Sequence, residues 1–246
     1  MEVHHHAHHG KKKWTEYFWE FLMLFLAVFC GFLAEYQLEH TIEHQREKQY
    51  IRSLIADLEN DQQILSQHIV HLKTGISRID SLINILNTPS QLADHTGELY
   101  YLARLAPRLD PLSTNSRTFD QLKNSGNFRL IRSIGTSNKI MTYYEKFPLI
   151  RLLESMNETE FNEYKKVAAK VFDPVIFQKM EGTNGVIERS NENPSLRTTD
   201  HELLKELSVF AVYLRGTKKG LLRTDKELEI VGTELIGYLQ KEYNLK

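Results

Sequence analysis

The chain has 246 residues, 41% apolar and 26% charged, with 31 Lys and Arg against 32 Asp and Glu. That length suits one sizeable folded domain with an attached segment, and so many charges exclude a polytopic membrane protein. A formal net charge of -1 argues against a surface built wholly for nucleic acid, and Cys30, the only cysteine, leaves no intrachain disulfide and no cysteine-based zinc cage.

Proline draws the first map. It occurs at 89, 107, 111, 148, 174 and 194, and so is absent from both ends of the chain. Proline lacks a backbone donor and clashes inside a helix, so two long proline-free tracts permit long terminal helices. Glycine is sparse and strand-like alternation is nearly absent. The expected class is all-α: an N-terminal transmembrane helix continuing into a long stalk helix, packed in an elongated helical bundle.

Residues 1–13, MEVHHHAHHGKKK, form a His- and Lys-rich tail. The five imidazoles of His4, His5, His6, His8 and His9 fit an expression scar, a metal-binding tail or a native end, and the interruption at Ala7 favours the native end. Dense imidazole binds transition metals without defining a geometry, so these residues are weak metal candidates.

From Phe21 to Ala34 no residue is charged. Extended from Tyr17 to Tyr36, the tract covers 20 residues, about 30 Å of helix and the thickness of a bilayer core. Trp14, Tyr17 and Trp19 stand at one end and Tyr36 at the other, as interfacial aromatics do. A cleaved signal peptide would need a small-residue site that is missing. A lipoprotein signal would need a small residue where Phe29 precedes Cys30. A buried globular helix would not need apolar or small residues, including Phe21, Gly31 and Ala34, on every face. The reading is an uncleaved anchor over 14–36. Lys11, Lys12 and Lys13 precede it closely, whereas the first cation after it is Arg46, so the positive-inside rule puts the tail in the cytoplasm. Residues 37–246 are then periplasmic in a bacterial inner membrane.

No Gly or Pro interrupts the chain between Gly31 and Gly75, which predicts a stalk over 37–87. A heptad places Ile55, Gln62, Ile69, Ile76 and Ile83 in one seam column and Leu58, Leu65, Leu72, Ile79 and Leu86 in the other. This pattern suits a parallel two-stranded coiled coil. The flanking column of Leu54, Asp61, His68, Gly75 and Leu82 offers little interchain charge pairing and widens the apolar face, which favours a bundle within one chain. Middle helices are expected near 95–106, 116–125 and 136–170 (95–180 in all), the last kinked by Pro148 and ended at Asp173-Pro174. A loop over 181–198 serves as a connection. A long helix over 199–243 starts at Thr199-Asp200, weakened at Gly216 and Gly220.

Chemistry is thinly signalled. His40-Thr-Ile-Glu43-His44 matches the inverted zinc-protease motif H-x-x-E-H. The two imidazoles share a helix face, but on a polar stalk His40, Glu43 and His44 are only weak metal candidates. Arg215, Lys218, Lys219, Arg223 and Lys226 read as a solvated helix face. No nucleophile elbow or phosphate-cradling glycine loop occurs. No catalytic residue and no cofactor is assigned.

The segment from Ser113 to Tyr144 reads as a short helix stopped at Ser125-Gly126, an apolar Phe-Arg-Leu-Ile stretch that docks, and a new helix capped near Thr136 or Ser137. With the span ending near Gly31-Phe-Leu-Ala-Glu35, the residues Thr118-Phe119, Leu122, Ser125-Gly126, Ile131 and Tyr143-Tyr144 resemble an uncharacterised bacterial family of single-span inner-membrane proteins with a His-rich start and a helical ectodomain. The resemblance implies a membrane-anchored helical domain and brings no catalytic residues. The expected function is a binding or scaffold protein whose partners are the bilayer and a protein or second copy, with no nucleic acid. An extracytoplasmic ligand-sensing subunit is the alternative, and a metal-dependent enzyme a remote third.

Overall fold

A computed structural model describes residues 13–190 and 192–245, apart from the side chain of Gln91. The tail histidines His4, His5, His6, His8 and His9, with Lys11 and Lys12, lie outside the described residues. The fold is all-α, and among the described residues the only β feature is an antiparallel bridge between Glu181 and Ile187. The chain divides into two compact units, residues 1–50 and 51–246. Helix α1 (Trp14–Leu86) supplies backbone to both.

In the first unit, the apolar window of α1 is long enough to cross a membrane and has none of its residues buried in protein. Phe21, Phe25 and Phe29 stack along one side at i, i+4 spacing, with ring centroids 6.2 and 5.8 Å apart. Met23 and Leu24, on other faces, are 70% and 71% exposed. A helix this apolar all round needs a non-aqueous surrounding on every side.

In the second unit the heptad is the spine. Ile55, Leu58, Leu65, Ile69, Leu72, Ile76, Ile79 and Leu86 are buried, and so are Leu54 and Leu82 from the flanking column. Their cover is the chain's own last helix, α8 (His201–Glu242). Cross-helix hydrogen bonds join Gln62 to Thr233, Ser66 to Glu229, His68 to Asp225 and Asn87 to Ser208, and an ion pair joins Asp80 to Arg215. As one number rises the other falls, so α1 and α8 run antiparallel. Helix α6 (Phe147–Val171) lies on the same α8, again antiparallel, with Lys146 on Glu227 and Glu160 on Thr217. At Gly220 a Cβ would meet Leu153 of α6 at 3.5 Å, an ordinary packing contact. The seam is thus closed within one chain, as its apolar width predicts.

The short elements seal the ends. Helices α2 (Pro89–Leu92) and α3 (Thr96–Leu105) follow α1, and α3 packs Tyr100 edge-on against Phe172 and Phe177, the latter on α7 (Pro174–Lys179). Asp173 caps α7 by accepting from the Val175 N–H at 2.8 Å. Helix α4 (Arg117–Asn124) stops at Ser125, where Gly126 takes a left-handed φ of 70°, and Leu130 and Ile131 then dock as buried residues.

Three expectations need correction. The tract 136–170 is two helices, α5 (Ile134–Tyr144) and α6. Pro148 falls in the first turn of α6, where its missing N–H costs nothing, so it helps start a helix and kinks none. The cap of α5 is Ser133, whose Oγ accepts from the Thr136 N–H at 3.2 Å, so Thr136 and Ser137 lie inside the helix. Lastly, α8 runs unbroken through Gly216 and Gly220 from its cap at Asp200, which accepts from the Leu203 N–H at 3.0 Å. The connection over 181–198 straps the start of α3. Asn193 accepts from the Gly97 N–H and donates to the Asp94 carbonyl, and the Tyr100 hydroxyl donates to the Ser195 carbonyl.

Candidate functional site

Between α3 and α4 the chain crosses the bundle without regular structure, from 107 to 116. Such a segment cannot pair its own backbone, and Pro107 and Pro111 have no N–H to offer. Charged side chains from three helices take over. The Lys218 ammonium of α8 donates to the Arg108 carbonyl. His68 Nε2 of α1 donates to the Asp110 carbonyl at 2.8 Å. Glu154 of α6 accepts from the Leu112 N–H at 2.7 Å, and Asp61 of α1 from the Asn115 N–H at 2.6 Å. Asp57 accepts from the Asn115 side chain and from both the N–H and the hydroxyl of Thr118, at 2.6, 3.1 and 2.5 Å. Asp61 also accepts from the Tyr143 hydroxyl at 3.1 Å.

Asp61 and His68 come from the flanking heptad column. One turn of the heptad after His68 is Gly75, and there Lys218 lies across α1: a Cβ on Gly75 would be 3.3 Å from the ammonium. A larger residue there would press on the lysine and require it to shift by a few tenths of an ångström. A side chain that would read as another member of the 215–226 basic run is turned inward. Lys218 is 1% exposed, which corrects the solvated reading for this residue. Arg215 bonds Asp80 at 2.8 Å, while Lys219, Arg223 and Lys226 are exposed as expected.

The charge states follow from the partners. His68 Nδ1 lies 2.6 Å from Asp225 Oδ2, and Nε2 faces a carbonyl. Both neighbours accept, so the ring satisfies both by carrying two protons. Burial alone would lower its pKa, but the Asp225 hydrogen bond and charge, the Asp110 carbonyl and the Glu154 charge together raise it above the ordinary 6.5. Lys218 goes the other way. Burial lowers it to about 8 and nearby Arg78 adds to the lowering, against the pull of Asp110.

These shifts predict opposite pH slopes of stability. The raised His68 contributes stability fully present below pH 6.5 and lost as pH rises through its higher native value. The lowered Lys218 leaves the unfolded chain holding more protons between about 8 and 10.5, so its contribution rises with pH there. Unfolding of the full chain in detergent should therefore show a loss of stability as pH rises above 6.5 that shrinks in His68→Gln. An unchanged loss in that variant would remove His68 as its source.

Beside this column opens a cleft of about 400 Å³, lined by His71, Leu72, Arg78, Leu105, Leu109 and Asp110, with Arg108 at its rim and His68, Gly75 and Lys218 at its base. Its net charge at neutral pH comes from Arg78, Arg108 and Lys218 against the carboxylate of Asp110, since the charge of His68 is balanced by Asp225. Asp110 is 3.9 Å from His71, and both side chains are largely exposed. Among the described residues no carboxylate lies within 4.0 Å of the Arg78, Arg108 or Lys218 cations. The cleft is an electropositive recess with an apolar wall of leucines.

The sites expected from sequence are elsewhere. His40, Glu43 and His44 lie on α1 in the first unit, with His44 Nδ1 3.3 Å from Glu47. Among the described residues no group of three or more His, Cys, Asp or Glu side chains is placed to hold a metal. Tyr17, Trp19, Phe21, Gly31, Ala34 and Tyr36 all lie exposed along α1. Comparison with known protein families, curated proteins and solved structures finds no match.

Proposed function

We propose that this chain is a membrane-anchored binding or scaffold protein of the single-span family it resembles. In this reading residues 14–36 cross a bacterial inner membrane, the His-rich tail is cytoplasmic, and residues 37–246 form a periplasmic helical domain that receives a partner protein or a second copy. The observation that carries it is the apolar window of α1, none of which is buried in protein. A lipid core covers such a surface on all faces at once. The flanking lysines and interfacial aromatics support the orientation.

The test is a reporter active only after export, fused behind Lys246, with alkaline carbonate extraction of the membranes. Activity with retention in the pellet is the expected result. A reporter active only in the cytoplasm reverses the topology, and release by carbonate removes the anchor. Crosslinking in the native membrane then asks for the partner.

A second reading, an extracytoplasmic ligand-sensing subunit, is favoured by the electropositive cleft. Its volume of about 400 Å³ suits a small molecule. Both ring nitrogens of His68 are engaged, which supports binding over proton-transfer chemistry at that residue.

A further inference from the structure

The geometry points to the cleft above Gly75 as a binding site for a small organic phosphate monoester, its phosphate held by Arg78 and Arg108 over the buried positive charge of Lys218. The inference deepens the ligand-sensing reading and rests on it. Three features carry it.

The first is unspent donor capacity. Lys218 is a buried ammonium with three protons, one of them given to the Arg108 carbonyl. Burying a cation without a counter-charge is costly, and an anion in the cleft offsets that cost. Arg78 and Arg108 bring forked donors that match the oxygens of a phosphate, and neither is held by a carboxylate among the described residues.

The second is charge balance. Three cations face one exposed carboxylate, Asp110, which is shared with His71. A monoester dianion brings the group close to neutrality, whereas a singly charged carboxylate leaves an excess. The third is shape. The cleft is larger than an inorganic phosphate requires, and Leu72, Leu105 and Leu109 give the surplus an apolar wall. A short carbon body attached to the phosphate fills it.

The arrangement is also braced. The Lys218–Arg108 bond and the His68–Asp110 bond fix the backbone on which Arg108 is mounted. Preorganised donors lose little freedom when a ligand arrives.

The same monoester group occurs on free metabolites and on phosphatidic acid, and two arms separate these sources. The full chain is placed in nanodiscs of phosphatidylcholine and titrated with glycerol 3-phosphate, with glycerate, a singly charged carboxylate of similar body, as the control at equal ionic strength. In parallel it is placed in nanodiscs containing phosphatidic acid, with no soluble ligand, and its thermal midpoint is measured. Saturable binding of glycerol 3-phosphate, weakened about tenfold in each of Arg78→Gln and Arg108→Gln, supports a free ligand. A midpoint raised only by phosphatidic acid, and lost in the same variants, supports the lipid headgroup. Both arginines are on the cleft surface, so the variants keep the wild-type far-UV spectrum and ligand-free midpoint. Lys218→Met abolishes binding in whichever arm responds. Glycerate binding as tight as glycerol 3-phosphate, no response in either arm, or a response untouched by both arginine variants overturns the assignment. None of these readouts depends on which side of the membrane the domain occupies, so a failed topology and a failed cleft are distinguishable.

Discussion

Replacing Asp61 by alanine is expected to destabilise the fold by about 3 kcal/mol, from two charge-assisted hydrogen bonds of about 1.5–3 kcal/mol each less the recovered cost of burying the charge. Asp61 is fully buried on α1 and accepts from the Asn115 N–H at 2.6 Å and the Tyr143 hydroxyl at 3.1 Å. Alanine removes the acceptor for both while leaving the donors inside. The recovered part is visible in the group itself, since burial raises the Asp61 carboxyl above its ordinary value even though both donors lower it. Burial, which stays when the carboxylate is gone, also pushes the Tyr143 phenol up, so its hydroxyl keeps its proton and is left without an acceptor. For a domain of this size the loss corresponds to a fall in Tm of roughly 6–12 °C. Asp61→Asn keeps a carbonyl for the Asn115 N–H and should lose about half as much. Thermal unfolding of the full chain in detergent, followed at 222 nm, measures both. An alanine variant within about 1 kcal/mol of wild type would mean that this staple adds little beyond an ordinary hydrogen bond.

The second large effect is expected at Gly97. A Cβ added there would meet the Glu192 carbonyl oxygen at 2.2 Å and the Asn193 side chain at 3.4 Å. The first obstacle is backbone, so relief means moving the strap over α3 and breaking the Asn193 bonds to Gly97 and Asp94. We expect Gly97→Ala to cost about 2 kcal/mol net, even after the roughly 1 kcal/mol that alanine gains over glycine in a helix. Gly232 is crowded too, since its Cβ would come within 2.1 Å of the Gln62 side-chain nitrogen and 3.0 Å of the buried Tyr143 ring. Gly216, inside α8 with nothing within 4 Å of its Cβ, is the open control, and Gly216→Ala should match or exceed wild type by up to about 1 kcal/mol. Chemical denaturation ranks the variants, and a Gly97→Ala midpoint equal to that of Gly216→Ala would show that the strap yields without cost.

What could be read in advance divides by physical range. The helices were legible because they depend on period and on local breakers: the heptad through Ile55 and Leu86, the Ser125-Gly126 stop and the Asp200 cap all act within a few residues. The intrachain burial of the seam was legible from the width of its apolar face. The candidate site was not. Lys218 sits in a run of cations and carries no local mark of burial; its inward turn brings it over Gly75 to the Arg108 carbonyl, both far away in sequence. His68 and Asp61 weakened the case for charge pairing between chains, yet their partners come from the irregular crossing and from Tyr143 and Asp225. Polar residues recurring in an otherwise apolar column were the available signal. Pro148 misled for a simpler reason: a helix start and a helix kink place proline in the same sequence pattern, and only the break after Tyr144 separates them.

The antiparallel pairing of α1 with α8 also bears on the order of synthesis. Ser66 meets Glu229 across 163 residues, and His68 meets Asp225 across 157. The heptad seam is made early in translation, but the helix that covers it is made last. Until residues 201–242 emerge, Leu58, Leu65 and Leu72 have no lid, and the buried imidazole has no counter-charge. Closing so long a loop is slow compared with forming the local helices. The nascent domain therefore waits as a helical but open chain until α8 has been made. A stop codon ahead of His201 would leave that open intermediate as the end product, a substrate for quality-control proteases rather than a smaller folded protein.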